Sequence, residues 1–364
     1  MKVFERSRFI ILFAICSSLS FSCSQDSDQL AEINTSELPQ LDLELQFSIS
    51  DPEDVFLQQI GDVKSDSEGR IFLLDQRALQ IHVFDSSGKY MTSIGREGSG
   101  PGEFRSLIKM YIDQNEQLFA FDVREARNTI FAENNTNWEL KDIFSIDGQR
   151  YGIESADSEG NVILRQSPPQ TPEPGAYWYE HELATGNLSS GLTKQNVLKI
   201  KEMGNLVLDS GFMIGIPFGW TTVLNTDPHG NIYLVWNEQF ELAKYNAQLE
   251  FIDSLSVNIP NQPISSETRN EAIDRLNDNF KALGRKHVPD NRPVISNMFI
   301  DANENLWLQT FDSPEYLVLD REGSPLKSFD LVDELRLVHV DENRLYASKV
   351  GVGGYQLHVF DYQL

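Results

Sequence analysis

The chain has 364 residues, 40% hydrophobic and 10% aromatic, enough to bury a large core and too apolar for a disordered acidic tail. Its formal charge is −25, and removing residues 1–22 with Lys2, Arg6, Arg8 and Glu5 leaves −27. So acidic a balance repels phosphate backbones and excludes nucleic acid as a partner.

Lys2, Arg6 and Arg8 precede an apolar run, 9–19, broken only by Ser17 and Ser18. That is about half the roughly twenty residues a permanent membrane helix needs, so 1–22 reads as a cleaved export signal. Leu19-Ser20-Phe21-Ser22-Cys23 resembles the lipobox of bacterial lipoproteins, with the small Ser22 ahead of the cysteine. The resemblance implies cleavage before Cys23 and a lipid on its sulfur. Ser20 and Phe21 depart from the pattern, and the alternative is an ordinary secretory signal with an incidental cysteine. Cys16 is the only other cysteine, so the mature chain forms no internal disulfide and Cys23 needs another purpose. Residues 23–40 open on Ser24-Gln25-Asp26-Ser27-Asp28 and read as a flexible acidic tether. A short acidic stretch after the cysteine resembles the surface-export signal of Bacteroidetes lipoproteins. The expected address is therefore the bacterial outer membrane, on its periplasmic or surface side, with the lipid as the only membrane contact.

Residues 41–49 alternate apolar and polar side chains, the pattern of a half-buried strand. From there one motif recurs six times: an aspartate, three polar or small residues, one more residue, then a β-rich run. It starts at Asp66, Asp113, Asp157, Asp227, Asp301 and Asp341. Each reads as a tight hairpin turn in which the carboxylate accepts backbone N–H groups and Gly or Asn takes the positive φ. Successive aspartates stand 47, 44, 70, 74 and 40 residues apart. The short spacings fit four-stranded propeller blades of roughly 40–50 residues, and the long ones carry insertions. Second hairpins follow at 81–90, 242–251 and 316–326. The sixth blade runs out of chain after Phe360, so the strand at 41–49 is expected to complete it and close the ring. The predicted fold is all-β: a six-bladed β-propeller over 41–364 with four-stranded blades, an N-terminal closing strand and one helical insertion.

The stretch from Asp66 to Asp85, with Gly95-Arg96-Glu97-Gly98-Ser99-Gly100-Pro101-Gly102-Glu103-Phe104, resembles the NHL-repeat propellers and the related six-bladed propeller lipoproteins of Bacteroidetes. The Asn-His-Leu tripeptide that names the repeat is absent, and Ala78-Leu79-Gln80 stands in its region. The glycines at 98, 100 and 102 lack the Gly-Lys-Ser/Thr ending of a phosphate loop and read as a flexible crossover between blades.

The Asp turns and second hairpin turns share one face of such a ring, and the remaining connections share the other. All three insertions, 166–176, 199–219 and 261–293, fall on that second face, which makes it the expected binding face. In the third, Thr268-Arg269-Asn270-Glu271 fits a capping box, and Ile273, Leu276, Phe280 and Leu283 mark one side of a helix ending at Gly284 and lying on the rim. The corners of that face bring Asp75 with Arg77, Asp122 with Arg124 and Arg127, Arg165 with Gln166, Trp236 with Asn237, Gln309 with Asp312, and Ser348 with Lys349 around the channel. Guanidinium forks match carboxylates and an indole suits a sugar or aromatic group. The alternative is that Asp75 with Arg77 and Asp122 with Arg124 are structural ion pairs.

The six histidines, His82, His181, His229, His287, His339 and His358, include no His-x-x-x-His pair. A zinc site like that of amidating-lyase propellers would need several at the channel, and only His287 lies in a segment that reaches it. Asp75, Asp122, Asn237 and Asp312 could imitate the divalent-metal set of gluconolactonase-like propellers. Two functions stay open: a binding module for an envelope glycan, peptide or protein, with no catalytic residue and no cofactor, and a lyase or lactonase-like hydrolase using a divalent metal at the channel.

Overall fold

The computed structural model describes residues 32–364 apart from 51–54, 135–136, 147–148, 169, 312–314, 333 and 352–353. The signal 1–22, Cys23 and the start of the tether lie outside the described residues. Six antiparallel sheets follow the six repeats. Blade 1 holds β2 Ile60–Ser65, β3 Ile71–Asp75, β4 Gln80–Phe84 and β5 Tyr90–Ile94, and blade 2 holds β6 Leu107–Ile112, β7 Leu118–Asp122, β8 Arg127–Asn134 and β9 Asn137–Phe144. Blade 3 holds β10 Gly152–Ala156, β11 Asn161–Gln166, β12 Gly175–Asn187, β13 Gly191–Val207 and a fifth short strand, β14 Met213–Gly215. Blade 4 is β15 Thr222–Thr226, β16 Ile232–Trp236, β17 Glu241–Tyr245 and β18 Phe251–Ser256. Blade 5 is β19 Ile295–Ile300, β20 Leu306–Thr310, β21 Glu315–Leu319 and β22 Pro325–Asp330. Blade 6 is β23 Arg336–Val340, β24 Arg344–Gly351, β25 Gly354–Tyr362 and, from the other end of the chain, β1 Leu43–Ser50. β1 pairs antiparallel with β25, Leu43 opposite Tyr362 and Ser50 opposite Gln356, so the ring closes as expected. A bulge at Gln46 interrupts the alternation and turns Leu45 outward.

The second strand of each blade is buried on both faces, which explains its unbroken apolar runs, as in Ile71–Asp75 and Leu118–Asp122. First strands lie inside: β2 packs beside β6 and β23, and β19 beside β15 and β23. The Asp turns form as expected. Oδ1 of Asp66, Asp113, Asp157, Asp227 and Asp301 accepts N–H groups from residues two and four further on, at 2.8 to 3.1 Å. Asp341, in a turn one residue shorter, accepts from Asn343 and Arg344. Where glycine is missing from the third place after the aspartate, Glu116 and Glu304 take the positive φ themselves, and not the neighbouring asparagines.

Two expectations change. The described part of the segment read as a tether is packed: Ile33 is buried between blades 4 and 5 and donates its N–H to the Asn258 carbonyl, while Leu41 donates to Ser328. An apolar side chain every few residues was enough to bind it to the wall. The single helix is two, α1 Ser266–Asp274 capped by Ser265 and α2 Asp278–His287 capped by Asn277. Gly284 does not end α2; it sits where a Cβ would meet Leu276 at 2.7 Å, so it permits the two helices to touch. Ile273, Leu276 and Phe280 pack on Leu206, Ile216 and Trp178 of blade 3 and not on the channel rim. That partner is an arm: β12 and β13 run on past the end of β11, by roughly 25 Å on β13 at about 3.3 Å per residue.

Candidate functional site

The expected ring at the insertion-bearing face resolves mostly into structural parts. Asp75 ends β3 with a fully buried carboxylate that accepts the N–H groups of Gln58, Gln59, Arg77 and Ala78 at 2.6 to 3.1 Å. Asp122 repeats this one blade on, taking N–H groups of Arg105, Ser106, Arg124 and Glu125. Burial alone would raise its titration point, but the four donors outweigh burial and hold it below the usual carboxylate value. Asn237 does the same in blade 4, accepting from Thr221 N–H at 2.7 Å and donating to the Ile295 carbonyl. All three tie the incoming crossover to the end of a second strand. Their oxygens are thus engaged with the backbone of the same corner, a structural role in all three. Asp312 lies outside the described residues. The partner of each carboxylate proves to be backbone N–H, not the guanidinium of Arg77 or Arg124, and those two arginines are exposed.

Arg165 is engaged as well. It pairs with Glu202, lies 3.8 Å from Glu154, and donates from Nε to Nδ1 of His181 at 3.1 Å. Glu154 is 4% exposed and also pairs with Lys109 from the neighbouring inner strand. Burial works against its charge, but Lys109 and then Arg165 outweigh that and keep the carboxyl below its ordinary value. Burial first, and the Arg165 charge second, lower His181 to about 4. Trp236 donates its indole N–H to Glu238 at 3.0 Å and lies under the Lys201 ammonium. Gln309 and Lys349 are half-buried on β20 and β24.

The cavity of about 830 Å³ opens at the opposite end of the channel, among the Asp turns. Its walls come from the inner strands of blades 1, 2, 4, 5 and 6, through Lys64, Tyr111, Asn225, Phe299 and His339. Its rim comes from the turns, with Glu68, Glu116 and Glu342, and from the end of β25, where Asp361 pairs with Arg344 at 3.4 Å. Glu68 is 67% exposed and 3.7 Å from Arg70, while Lys64 in the wall is held by Asp62 at 2.9 Å. The rim is therefore a field of negative charge above partly aromatic walls.

Ser65, His339 and Asp341 meet in this cavity, but not as a nucleophilic set. Ser65 Oγ lies 2.9 Å from Asp341 Oδ2 and 3.0 Å from His339 Nε2, and the Ser65 backbone N–H donates to the same Nε2 at 3.2 Å. Asp341 also accepts Tyr346 OH at 2.6 Å and makes no bond to the imidazole. The serine hydroxyl therefore has two acceptors within reach, the Asp341 carboxylate and an imidazole pushed well below its usual value by burial and then by Lys64, and the carboxylate does not orient the imidazole as it would in a triad. Among the described residues no group of three or more His, Cys, Asp or Glu side chains is arranged to hold a metal.

Sequence reasoning missed this mouth because the aspartates that mark it also build its turns. The available signal was the exposed acid between or beside the turn residues, as at Glu68, Glu116 and Glu342.

A family model described as a 6-bladed beta-propeller matches residues 44–131. No curated protein matches the chain. Among solved structures, a Bacteroides fragilis protein named only as exported is similar at 11% identity and a TM-score of 0.56, over 92% of this chain and 98% of its own. Virginiamycin B lyase of Staphylococcus aureus (6%, TM-score 0.46, 88% and 99%) and a gluconolactonase of Xanthomonas campestris (10%, 0.46, 91% and 99%) match more loosely. These likenesses are of fold alone.

Proposed function

We propose that the chain is an NHL-like propeller lipoprotein, exported, anchored through Cys23 in a bacterial outer membrane, and working as a binding module for a basic peptide segment. The observation that carries the reading is the cavity of about 830 Å³ ringed by Asp turns. It is the size of a ligand pocket, and its most exposed rim charges are carboxylates. The binding class stays as read from the sequence, while the working face moves to the Asp-turn mouth, because Asp75, Asp122, Asn237, Arg165 and Trp236 of the other face already have partners within the fold. The address rests on the export signal in 1–22 and the lipobox-like 19–23, and agrees with an exported propeller of similar fold.

Calorimetry with tetralysine, tetraglutamate and an uncharged glucan oligosaccharide tests it. Tetralysine alone should bind, and Glu68→Lys with Glu342→Lys should weaken it at least tenfold without changing the melting temperature, since both side chains are exposed. Preference for tetraglutamate or the glucan, or loss on Arg77→Ala with Arg124→Ala instead, would return the site to the insertion-bearing face.

A further inference from the structure

The blade 3 arm ends in a turn over 208–212 closed by Gly211 N–H to the Leu208 carbonyl, and there the chain exposes Phe212, Met213 and Ile214 in succession. Phe212 is 73% exposed, and Met203 beside them on β13 is 54% exposed. Neighbouring side chains on a strand point to opposite faces, so Met213 and Ile214, exposed in succession, leave the outer edge of the tip open on both sides, with Tyr179 OH reaching Met213 Sδ at 3.4 Å. The inner strand of the same tip is covered: Leu206, opposite Ile214, and Ile216 are buried against α1 and α2, so the helices brace the arm from one side and leave its β14 edge bare.

Where the chain enters the propeller says what the tip meets. Ile33 is bonded to Asn258, and the insertion carrying the two bracing helices starts within a few residues of Asn258. Ile33 and Glu32 before it therefore lie at the same face as the arm, near the root of the helices that support it. Cys23 precedes Glu32 by nine residues, which extended reach no more than about 30 Å. That is close to the arm's own rise.

We infer that the tip formed by Met203, Phe212, Met213 and Ile214 inserts into the lipid surface to which Cys23 is tethered, so that the insertion-bearing face looks at the bilayer. The inference rests on the anchoring half of the proposed function and is independent of the ligand. Apolar side chains on a rigid strut enter the headgroup boundary without unfolding anything, and the tether keeps them within reach.

Cys23 is the only cysteine after residue 22, so the mature chain can be coupled to vesicles through its thiol, whatever happens in the cell. Protein coupled to phosphatidylcholine–phosphatidylethanolamine vesicles carrying a maleimide lipid is compared, by hydrogen exchange, with protein coupled to a soluble maleimide polymer. Exchange over 208–216 should slow at least fivefold on vesicles, and Phe212→Ser with Met213→Ser and Ile214→Ser should abolish the difference. Equal exchange in both samples overturns the inference. So does a dimer of thiol-blocked protein in sedimentation that the same triple variant dissolves, since the tip would then cover a second copy. Mass spectrometry of the membrane fraction tests lipidation separately, so a failed anchor and a failed tip are told apart.

Discussion

Aspartate does two jobs at the turns, and the second explains several aromatic residues. Oδ1 closes the turn, while Oδ2 of Asp227, Asp301 and Asp341 receives Tyr233 OH, Trp307 Nε1–H and Tyr346 OH from the following strand. A buried carboxylate is costly unless its lone pairs are filled, and these donors fill them inside the blade. Histidine behaves in the opposite sense: His82, His181, His287, His339 and His358 are all lowered, with burial the largest cause in each. A base whose folded value falls from 6.5 to about 4, as at His181, binds fewer protons in the native than in the unfolded chain between those limits. Stability therefore rises with pH across that window and is lost on acidification, by on the order of 2–3 kcal/mol for His181 alone. Urea unfolding at pH 7, 6, 5 and 4.5 should show this slope, and His181→Gln should flatten it. A slope unchanged in the variant would place the acid sensitivity elsewhere.

At the scale of the element, β1 bears the closure of the ring. Tyr362 and Leu337 share a cluster with Leu41, while Ile49 packs with Leu357 and Val359, so β1 covers an edge of β25 that would otherwise stay open. Removing residues 32–50 should lower the melting temperature by more than 10 °C or give aggregation in light scattering, because an unpaired apolar edge recruits other chains. A truncated protein that melts like the full one would rule this closure out. The strand was legible in advance because a period of two and a blade short by one strand both required it. The six Asp turns were legible for a similar reason, since each is set by residues within five positions. What escaped was nonlocal. The alternation of β12 and β13 looks the same inside the blade as beyond it, so the arm could not be told from a loop-bearing insertion. Nor could the chain show that Asp75 and Asp122 would meet backbone N–H groups some sixteen residues upstream, because backbone donors leave no mark in the sequence.

At the scale of the molecule, the two faces are built for different surroundings. The insertion-bearing side exposes Phe56, Val332 and Val350 from the blade 6 links and hairpin and Phe212, Met213 and Ile214 from the arm, while Phe251 and Ile252 are exposed at the Asp-turn end of β18. The cavity at the other side is rimmed by acids. If anchor and tip hold the first face to the bilayer, the cavity points away from it, and anchoring and ligand capture become separable. Among the described residues no helix is long and apolar enough to cross a membrane, and the attachment proposed above is the lipid on Cys23. Cys23→Ser should therefore move the protein from the membrane fraction to the soluble one, with the loss of the lipid mass, while tetralysine affinity at the Asp-turn mouth stays within twofold. Protein found equally in both fractions before and after the change would end the lipoprotein reading. A tenfold fall in affinity on release would show instead that the membrane helps to form the site, and the two faces would then have to be treated as one.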